Sequence, residues 1–393
     1  MRATGRLADR LRDIAPYPTN PVVSLEVEGA GSPFSSRDYT RRLSIEQELD
    51  LRGERSARRQ VGRATAGFVQ RDLTAREQEI AASVDAAVGR WLVARRSLAL
   101  LQPLAGRART LESSAESARK RETVTAFAAR LLRNEAVVLD AEVVMAQEEE
   151  SRSSAEVRVW LGMSASDSLQ FVDDLGDASW SCPPEAALVL AQRTRGDLAR
   201  AAAAESLFST RVRLERRLGG VNPTIGISAA SERLYFDSVP LAGGGTAGPI
   251  QDRTTLIGIH ASIPLPLTQR NQGAVAEAEV DLERARAERT GLAASVAQEV
   301  TGGCAALERA EARRSLLSGA AEDAGKDLRL IEDAYRGGRI PLEDYLTLRD
   351  RLVRVQRDYL EATAAVEDAR ARLVRATGTR RDLLTRFLRT EER

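Results

Sequence analysis

Histidine and aromatic residues are scarce in this chain of 393 residues. Aromatic side chains make up 4% of it, which is low for a globular core, and His260 is its one histidine. A single imidazole cannot complete a zinc or copper site, and it leaves little basis for histidine acid–base catalysis. No pairing of a nucleophile with a base stands out either. We therefore predict that the protein is not an enzyme and that it has no cofactor and no bound metal.

Cysteine is almost absent as well. Cys182 and Cys304 are far apart in the chain, and neither belongs to a zinc-binding spacing. Cys182 precedes two prolines, whereas Cys304 falls inside a helical pattern. The sequence favours two separate small thiols, buried or at an interface, over a disulfide.

Long apolar runs and an excess of one charge are both missing. No segment approaches the roughly 20 apolar residues of a membrane-spanning helix, so the chain could enter a membrane only as part of a β-barrel. Lys and Arg number 58 and Asp and Glu 57, a balance that indicates no nucleic-acid partner. The N-terminal residues lack the apolar core of a signal peptide, and we expect any leader to lie outside this sequence.

Long helical patterns rich in Ala, Arg, Glu and Leu fill most of the chain. At ~1.5 Å per residue, the first is on the order of 90 Å long, too long for a compact domain. The helical segments run over about 54–117, from the next turn to Leu161, over 185–217, over about 273–335, and lastly to Gly378. Two of them carry apolar residues at alternating spacings of three and four, which is typical of closely packed helices. These residues are Ala129, Leu132, Ala136, Leu139, Val143 and Ala146 in one helix and Leu352, Val355, Tyr359, Ala362, Val366, Ala369 and Leu373 in the other.

Alternating patterns predict two β-hairpins, one before each long pair of helices. The strands are expected at about 22–28, 40–51, 224–230 and 254–265. In the last strand Ile257, Ile259 and Ile263 share one face, while Gly258 and His260 share the other. Each hairpin therefore has one apolar and one polar face.

The two halves of the chain are related by an internal duplication. The pair Leu161-Gly162 matches Thr377-Gly378 at an offset of 216, and the same offset relates Leu51 to Leu267. Upstream, Asn20 matches Asn222 at an offset of 202, so the second hairpin is 14 residues longer (216 minus 202). The glycine-rich insertion around residues 240–249 accounts for the difference. It is no phosphate-binding loop, because no Lys-Ser/Thr pair and no helix follow it.

These patterns predict a mainly α fold with a small β part, internally duplicated, with four long or medium helices and two hairpins per chain. Four strands cannot close a barrel, whereas three chains would supply 12 strands around a polar lumen, joined to an α-helical barrel. The expected divisions are a residual N-terminal helix at 1–18, the first hairpin at 19–51, the first helical pair at 52–165, a linker with a shorter helix at 166–220, the second hairpin at 221–267, the second helical pair at 268–378 and a loose tail at 379–393.

In this order of motifs the chain resembles TolC-type outer-membrane efflux factors, and it is most similar to their CzcC/CusC-like heavy-metal branch. The resemblance implies a homotrimer in the outer membrane of a Gram-negative cell. It also implies a periplasmic helical tunnel, a periplasmic adaptor protein and an inner-membrane pump of the resistance-nodulation-division type. The residues that carry the resemblance are 20–28, 43–49, 52–58, 263–267, 270–273 and 334–341, together with Leu346.

Two groups of residues are candidates for the function of such a duct. Glu46, Glu48, Asp50 and His260 fall on polar strand faces and are expected to line the lumen, where carboxylates attract cations. The second group lies in the turns between paired helices, at the expected tunnel mouth, where it would dock the adaptor or form a gate. It comprises Arg119, Lys120, Arg121, Val124, Arg336, Gly337, Gly338, Arg339 and Ile340.

Two expectations qualify this assignment. Glu122 stands where the second half has Gly338, so we expect the first turn to lack its flexible residue. Much of the first helix is missing from the N-terminal half, and we expect this to affect assembly. The alternative function is a soluble or periplasmic coiled-coil scaffold without channel activity, which would explain the helices but not two hairpins with apolar faces.

Overall fold

The computed structural model describes residues 17–29, 38–122, 124–169, 180–236, 239–240, 242–381 and 384. The helix predicted at 1–18 lies outside these residues as far as residue 16, and residues 17 and 18 have no regular structure. The chain forms two compact units. The first comprises Met1–Leu73 and Arg200–Arg289, and the second comprises Thr74–Ala199 and Thr290–Arg393. Each unit therefore combines segments from both halves of the sequence.

An antiparallel sheet of four strands belongs to the first unit. The strands in chain order are β1 (Val22–Gly29), β2 (Tyr39–Glu48), β3 (Thr224–Phe236), β4 (Val239–Pro240), β5 (Thr246–Ala247) and β6 (Ile250–Ser262). The large sheet has the order β1-β2-β3-β6, and β4 pairs only with β5. The two predicted hairpins are thus neighbours in one sheet, and β1 and β6 are its edges.

The second strand of each hairpin ends earlier than the alternation predicts. The backbone N–H of Leu51 donates to the carbonyl of Leu49 at 3.0 Å, and that of Leu267 donates to the carbonyl of Leu265 at 2.9 Å. Both tight turns draw the chain away from the sheet. β2 consequently ends at Glu48 and β6 ends at Ser262.

Six helices account for most of the described residues. They are α1 (Glu54–Lys120), α2 (Ala126–Leu161), α3 (Pro184–Thr194), α4 (Gly196–Leu218), α5 (Gln272–Arg336) and α6 (Leu342–Thr377). Along α2, the predicted apolar spacing is confirmed, because Leu132, Ala136 and Leu139 are buried. Ala136 and Leu139 form one apolar cluster with Leu101 and Ala105 of α1.

The duplication is visible in the backbone. Both ends of α6 lie 216 residues beyond the corresponding ends of α2. Gly162 and Gly378 follow the two helices in the same left-handed conformation, with φ of 66° and 63°. Only glycine adopts this conformation without steric cost, and it ends both helices at equivalent positions.

The single helix predicted at 185–217 is wrong in one respect, because the chain breaks it into α3 and α4 at Arg195. Arg195 has an extended backbone, with ψ of 118°. Its guanidinium binds Asp197 at 2.6 Å and Glu299 at 2.5 Å. The adjacent N–H of Gly196 donates to the side-chain oxygen of Gln78 at 2.7 Å. These contacts stabilise the bend, and Gly196 permits the close approach, because a Cβ there would lie 2.8 Å from the Cα atom of Ala75.

A disulfide joins Cys182 to Cys304, so the prediction of two separate thiols is wrong. The Cα atoms are 5.3 Å apart although 122 residues separate them in sequence. The bond ties the segment before α3 to the middle of α5. Cys304 belongs to the main apolar cluster of the second unit, together with Trp180, Leu307 and Leu373.

The start of the C-terminal tail is packed rather than loose. Leu384 is fully buried in that same cluster. Arg381 forms ion pairs with Glu367 and Asp85. Because the tail is rich in charge, its sequence alone gave no sign of this docking. The rest of the predicted tail, from residue 385, lies outside the described residues.

Among the residues that the structure describes, no helix has the length and apolar character needed to cross a membrane.

Candidate functional site

One face of the four-stranded sheet is apolar and exposed. Cross-strand pairing places Val23, Ile45, Ile227 and Ile259 in a single row across all four strands. Their exposed fractions run from 49% for Ile45 to 81% for Ile259. A second row contains Leu25, Leu43, Ala229 and Ile257. Apolar rows of this extent on a bare sheet face mark a surface that contacts another apolar phase.

The opposite face is polar and places Glu46 next to His260. Glu46 of β2 and His260 of β6 both pair with Gly226 of the strand between them. The Nε2 atom of His260 lies 3.1 Å from Oε1 of Glu46. A Cβ at position 226 would lie 2.3 Å from that same nitrogen and 2.8 Å from Cγ of Glu46. Gly226 therefore provides the space in which the two side chains meet.

Gly226 was missed as a functional residue by sequence reasoning. Its role depends on which residues of β2 and β6 pair with it. The insertion in the second hairpin hides this register, because the number of residues between β3 and β6 does not show which residues pair. The next polar row holds Ser24 and Ser44, whose hydroxyls are 2.6 Å apart. That row continues through Ser228 and Gly258, and the neighbouring row holds Glu46 and His260 near the end of the sheet where β2 and β6 stop.

Asp50 does not share the strand face of Glu46, contrary to prediction, because β2 ends two residues before it. Its carboxylate instead accepts hydrogen bonds from the backbone N–H groups of Glu54 at 2.7 Å and Arg55 at 2.8 Å. It therefore caps the N-terminus of α1. Slight burial raises the pKa of Asp50, but the hydrogen bonds from Arg55 and Glu54 outweigh it and hold that pKa below its ordinary value.

Glu48, at the end of β2, is bound to the neighbouring corner of the chain. The side-chain amide of Asn222 donates to Glu48 at 2.9 Å and to the buried Glu54 at 2.8 Å. No local pattern indicates this bridge, because Asn222 stands out in the sequence only as a landmark of the duplication. Of the four lumen candidates, Glu46 and His260 are thus the two that meet on the polar sheet face.

The two helix-to-helix turns have the same backbone conformation, although one has no glycine at the key position. Glu122 has φ of 63° and Gly338 has φ of 69°. The N–H of Glu122 donates to the carbonyl of Arg119, and that of Gly338 donates to the carbonyl of Tyr335, both at 2.9 Å. The first turn thus forms without its expected glycine, at the steric cost of a left-handed non-glycine residue.

Two of the predicted turn residues, Arg336 and Arg119, form ion pairs. Arg336 binds the buried Glu332 at 2.6 Å, and Arg107 of α1 approaches the same carboxylate at 4.0 Å. Arg119 pairs at 2.6 Å with Glu116 of its own helix. The pairs of Arg336 and Arg119 each stay within one helix, and it is Arg107 that connects Glu332, near the second turn, to α1.

The remaining turn candidates are mostly at the surface. Lys120, Arg121, Gly337, Gly338 and Arg339 are exposed, while Val124 and Ile340 are half-buried.

A stacked pair of tyrosines supports the second turn. The rings of Tyr335 and Tyr345 are 4.9 Å apart, and Tyr345 is buried. Burial raises the pKa of both phenols. Sequence reasoning missed this pair, although ten residues spanning a Gly-Gly turn would bring two such rings together.

A buried ionic cluster in the second unit was also not predicted. Arg370, 2% exposed, donates to Glu311 at 2.7 Å and to the buried Glu367 at 3.0 Å. Arg381 adds its contacts to Glu367 and Asp85. Burial raises the pKa of Asp85, with the charge of Arg381 acting in the opposite direction. Such a network fixes one geometry, because a buried charge that loses its partner costs several kcal/mol.

No group of three or more potential metal-ligating side chains occurs in the part of the chain that the structure describes. His260 and Glu46 are only two such groups, fewer than a transition-metal site requires.

The comparisons with known proteins agree with this architecture. Residues 187–379 match the family model described as outer membrane efflux protein. No curated protein matches the chain. The family match spans α4, the second hairpin and the second helical pair.

Three solved structures have the same fold over nearly the whole chain. CusC is 16% identical with a TM-score of 0.70, covering 96% of this chain and 87% of its own. A membrane protein from Pseudomonas aeruginosa is 17% identical with a TM-score of 0.73, covering 95% and 87%. The outer membrane protein VceC from Vibrio cholerae is 15% identical with a TM-score of 0.69, covering 96% and 92%.

Proposed function

We propose that this chain, whose residues 187–379 match the outer membrane efflux protein family model, is one subunit of a trimeric efflux duct. The duct would lie in the outer membrane of a Gram-negative bacterium, with its helices in the periplasm. It would receive substrate from an inner-membrane pump of the resistance-nodulation-division type through a periplasmic adaptor protein.

One observation carries the proposal: apolar side chains cross all four strands on one sheet face while a polar row crosses the other. The order β1-β2-β3-β6 leaves β1 and β6 with unpaired edges. Pairing β6 of one copy with β1 of the next satisfies both edges. Three copies then supply 12 strands, with the apolar rows toward lipid and Glu46 and His260 toward the lumen.

The disulfide supports the cellular compartment independently. Cys182 and Cys304 form a bond between distant segments, and such structural disulfides persist in oxidising compartments, including the bacterial periplasm. A scaffold acting in a reducing compartment would not retain this bond.

The polar sheet face favours cations as substrates. Glu46 presents a carboxylate toward the proposed lumen, where it lowers the energy of a passing cation and raises that of an anion. The resemblance to the CzcC/CusC-like branch extends this preference to heavy-metal cations. A passive duct takes its substrate from the pump, so its lining needs only to favour charge of one sign.

The helix-to-helix turns are proposed as the mouth of the tunnel and the docking surface for the adaptor. The exposed cations Lys120, Arg121 and Arg339 would contact the partner. Glu332, which pairs with Arg336 of its own helix, would hold the second helical pair against α1 through Arg107, as a closed gate requires.

The first test combines fractionation with mass measurement. Full-length protein bearing an export leader should sediment with the outer membrane, and native mass spectrometry in detergent should give three times the chain mass of 42.7 kDa. In planar bilayers the trimer should conduct cations better than anions. A monomer or dimer in the aqueous fraction would instead support the coiled-coil scaffold.

A further inference from the structure

Two corners of the first unit place an exposed leucine next to an exposed arginine. In the first half Leu51, 71% exposed, directly precedes Arg52. In the second half Leu267, 79% exposed, is followed three residues later by Arg270. Each corner lies where a sheet strand has ended and a long helix is about to begin. The duplication has therefore produced the same pairing twice.

The two corners meet on one surface at the end of α4. A Cβ added to Gly220 would lie 2.1 Å from the guanidinium of Arg52, and one added to Gly219 would lie 2.2 Å from the carbonyl oxygen of Arg270. Arg217 donates to the carbonyl of Gly53 at 2.8 Å. The guanidiniums of Arg52 and Arg217 and the backbone of Arg270 thus lie around the end of α4.

The carboxylates near these corners are committed to internal contacts. Asp50 caps α1, Glu54 is buried against Asn222, and Glu215 accepts from the side chain of Asn271 at 2.7 Å. Within the described residues, Arg52 and Arg270 form no ion pair with a carboxylate, and both are exposed. The outward charge of this surface is therefore positive, although the whole chain is nearly neutral.

The opposite end of the sheet is built differently. Tyr39 and Tyr235 lie where β2 and β3 approach the hairpin connections. Aromatic residues are the common anchors of a membrane protein at the lipid–water boundary. The helical end of the sheet has the exposed Tyr17 before β1, but the corners at 49–53 and 263–271 have no aromatic side chain and carry arginines instead.

We infer that this surface, defined by Leu51, Arg52, Leu267 and Arg270, binds the phosphate groups of anionic phospholipids. The inference rests on the proposed function, because it requires the apolar sheet face to lie in a membrane. The leucines enter the hydrocarbon, and each guanidinium donates to phosphate oxygens of the leaflet nearer the helices, a strong charge-assisted contact. The sheet is then held at its aromatic end by ring insertion and at its helical end by arginine.

The test measures lipid retention by the purified full-length protein. Wild type, Arg52→Gln/Arg270→Gln and the control Arg351→Gln/Arg354→Gln would be incubated in detergent with phosphatidylglycerol or phosphatidylcholine. Bound lipid would be counted by native mass spectrometry at low and high salt. The control removes two exposed arginines from α6 and so loses the same total charge.

Wild type and the control should retain phosphatidylglycerol over phosphatidylcholine. The double variant should lose this preference, with apparent affinity falling about fivefold for each arginine removed. High salt should weaken retention, and added inorganic phosphate should compete only at high concentration. Equal retention by the double variant and the control would overturn the inference.

The oligomeric state separates the two proposals. If the protein forms a trimer but does not retain anionic lipid selectively, only the inference of a lipid-binding surface is overturned. If the protein forms no membrane trimer, both the proposed function and this inference are overturned.

Discussion

Glu46 and His260 meet at 3.1 Å across an intervening strand that contributes only a glycine between them. Residues on strands that are not adjacent are normally kept apart by the side chain of the strand between them. Gly226 removes that barrier, and the pair therefore bridges two hairpins that come from different halves of the chain.

Gly226→Ala should separate this pair. The new methyl group would lie too close to Nε2 of His260 and to Glu46, so both side chains would have to turn away. Because His260 is the one histidine of the chain, its modification by diethyl pyrocarbonate reports on it alone. The rate should rise several-fold in this variant. Gly258→Ala is the matched control, since its Cβ meets only a serine hydroxyl at 3.3 Å, and an equal rise there would contradict the role of Gly226.

The two helix turns should respond in opposite directions to exchange of their key residues. Gly338→Ala forces a side chain into the left-handed region and should lower the free energy of unfolding by about 1 kcal/mol. Glu122→Gly relieves the same strain and should raise it by roughly 0.5 kcal/mol. Thermal unfolding followed by circular dichroism measures both. Gly106→Ala, within α1 and with open space around it, should stabilise the helix and shows that any loss at 338 is specific to the turn.

Reduction of the disulfide should destabilise the second unit. Opening a bond that closes a loop of this length costs about 2–4 kcal/mol. Wild-type protein should therefore unfold at a lower temperature in dithiothreitol. The Cys182→Ser/Cys304→Ser variant should unfold near the reduced wild type and ignore the reductant. If the reductant lowers the unfolding temperature of both proteins equally, the bond is not the cause.

Asp50 should stabilise the N-terminus of α1 in a manner that depends on pH. Its folded pKa lies below the ordinary value of 3.8, so its contribution is complete well above that pH and is lost as pH falls through the folded pKa. Asp50→Ala should lower the free energy of unfolding by about 1 kcal/mol at pH 7. The difference from wild type should shrink below pH 4.

Asp50→Asn separates the capping role from the charge. An asparagine can still accept a backbone hydrogen bond, so most of the stability at pH 7 should remain. If Asp50→Asn and Asp50→Ala lower the free energy of unfolding equally, the contribution of Asp50 comes from its charge alone.

Reversal of charge at Arg336 and Arg339 should open the proposed tunnel mouth. Arg336→Glu would face Glu332 at a buried position, and like charges at that distance repel. Single-channel conductance of the Arg336→Glu/Arg339→Glu variant should rise above that of wild type. Charge reversal of Arg372, whose contact to Asp368 stays within α6, serves as the control. Unchanged conductance in the double variant would count against a gate at these residues.

The regular features of this fold were predictable because they repeat. Apolar residues spaced by three and four located the packed face of α2, and the fixed offset located Gly162 and Gly378. The strand faces followed from simple alternation. In each case the structure of a segment could be predicted from the residues next to it in the chain.

The features that failed depend on contacts between distant segments. Gly196 beside Arg195 only weakens a helix, and the bend there is held by contacts to Glu299 and Gln78, which are distant in the sequence. Cys182 and Cys304 come together only when α3 packs on α5. Arg381 and Leu384 look like a loose charged end until the core of the second unit is known. Likewise, Gly226 is important because strand pairing places it between Glu46 and His260, which its local sequence does not show.

The sheet also sets an order of events during synthesis. β2 ends at Glu48 and its partner β3 begins at Thr224, so 176 residues (224 minus 48) must be made before the two strands can pair. At ~5–20 residues per second this is a delay of roughly 10–35 s. Throughout that interval the first hairpin presents an open apolar strand edge, which is prone to aggregation. The first half of the chain is therefore the part most exposed to wrong strand pairing before the second half joins it.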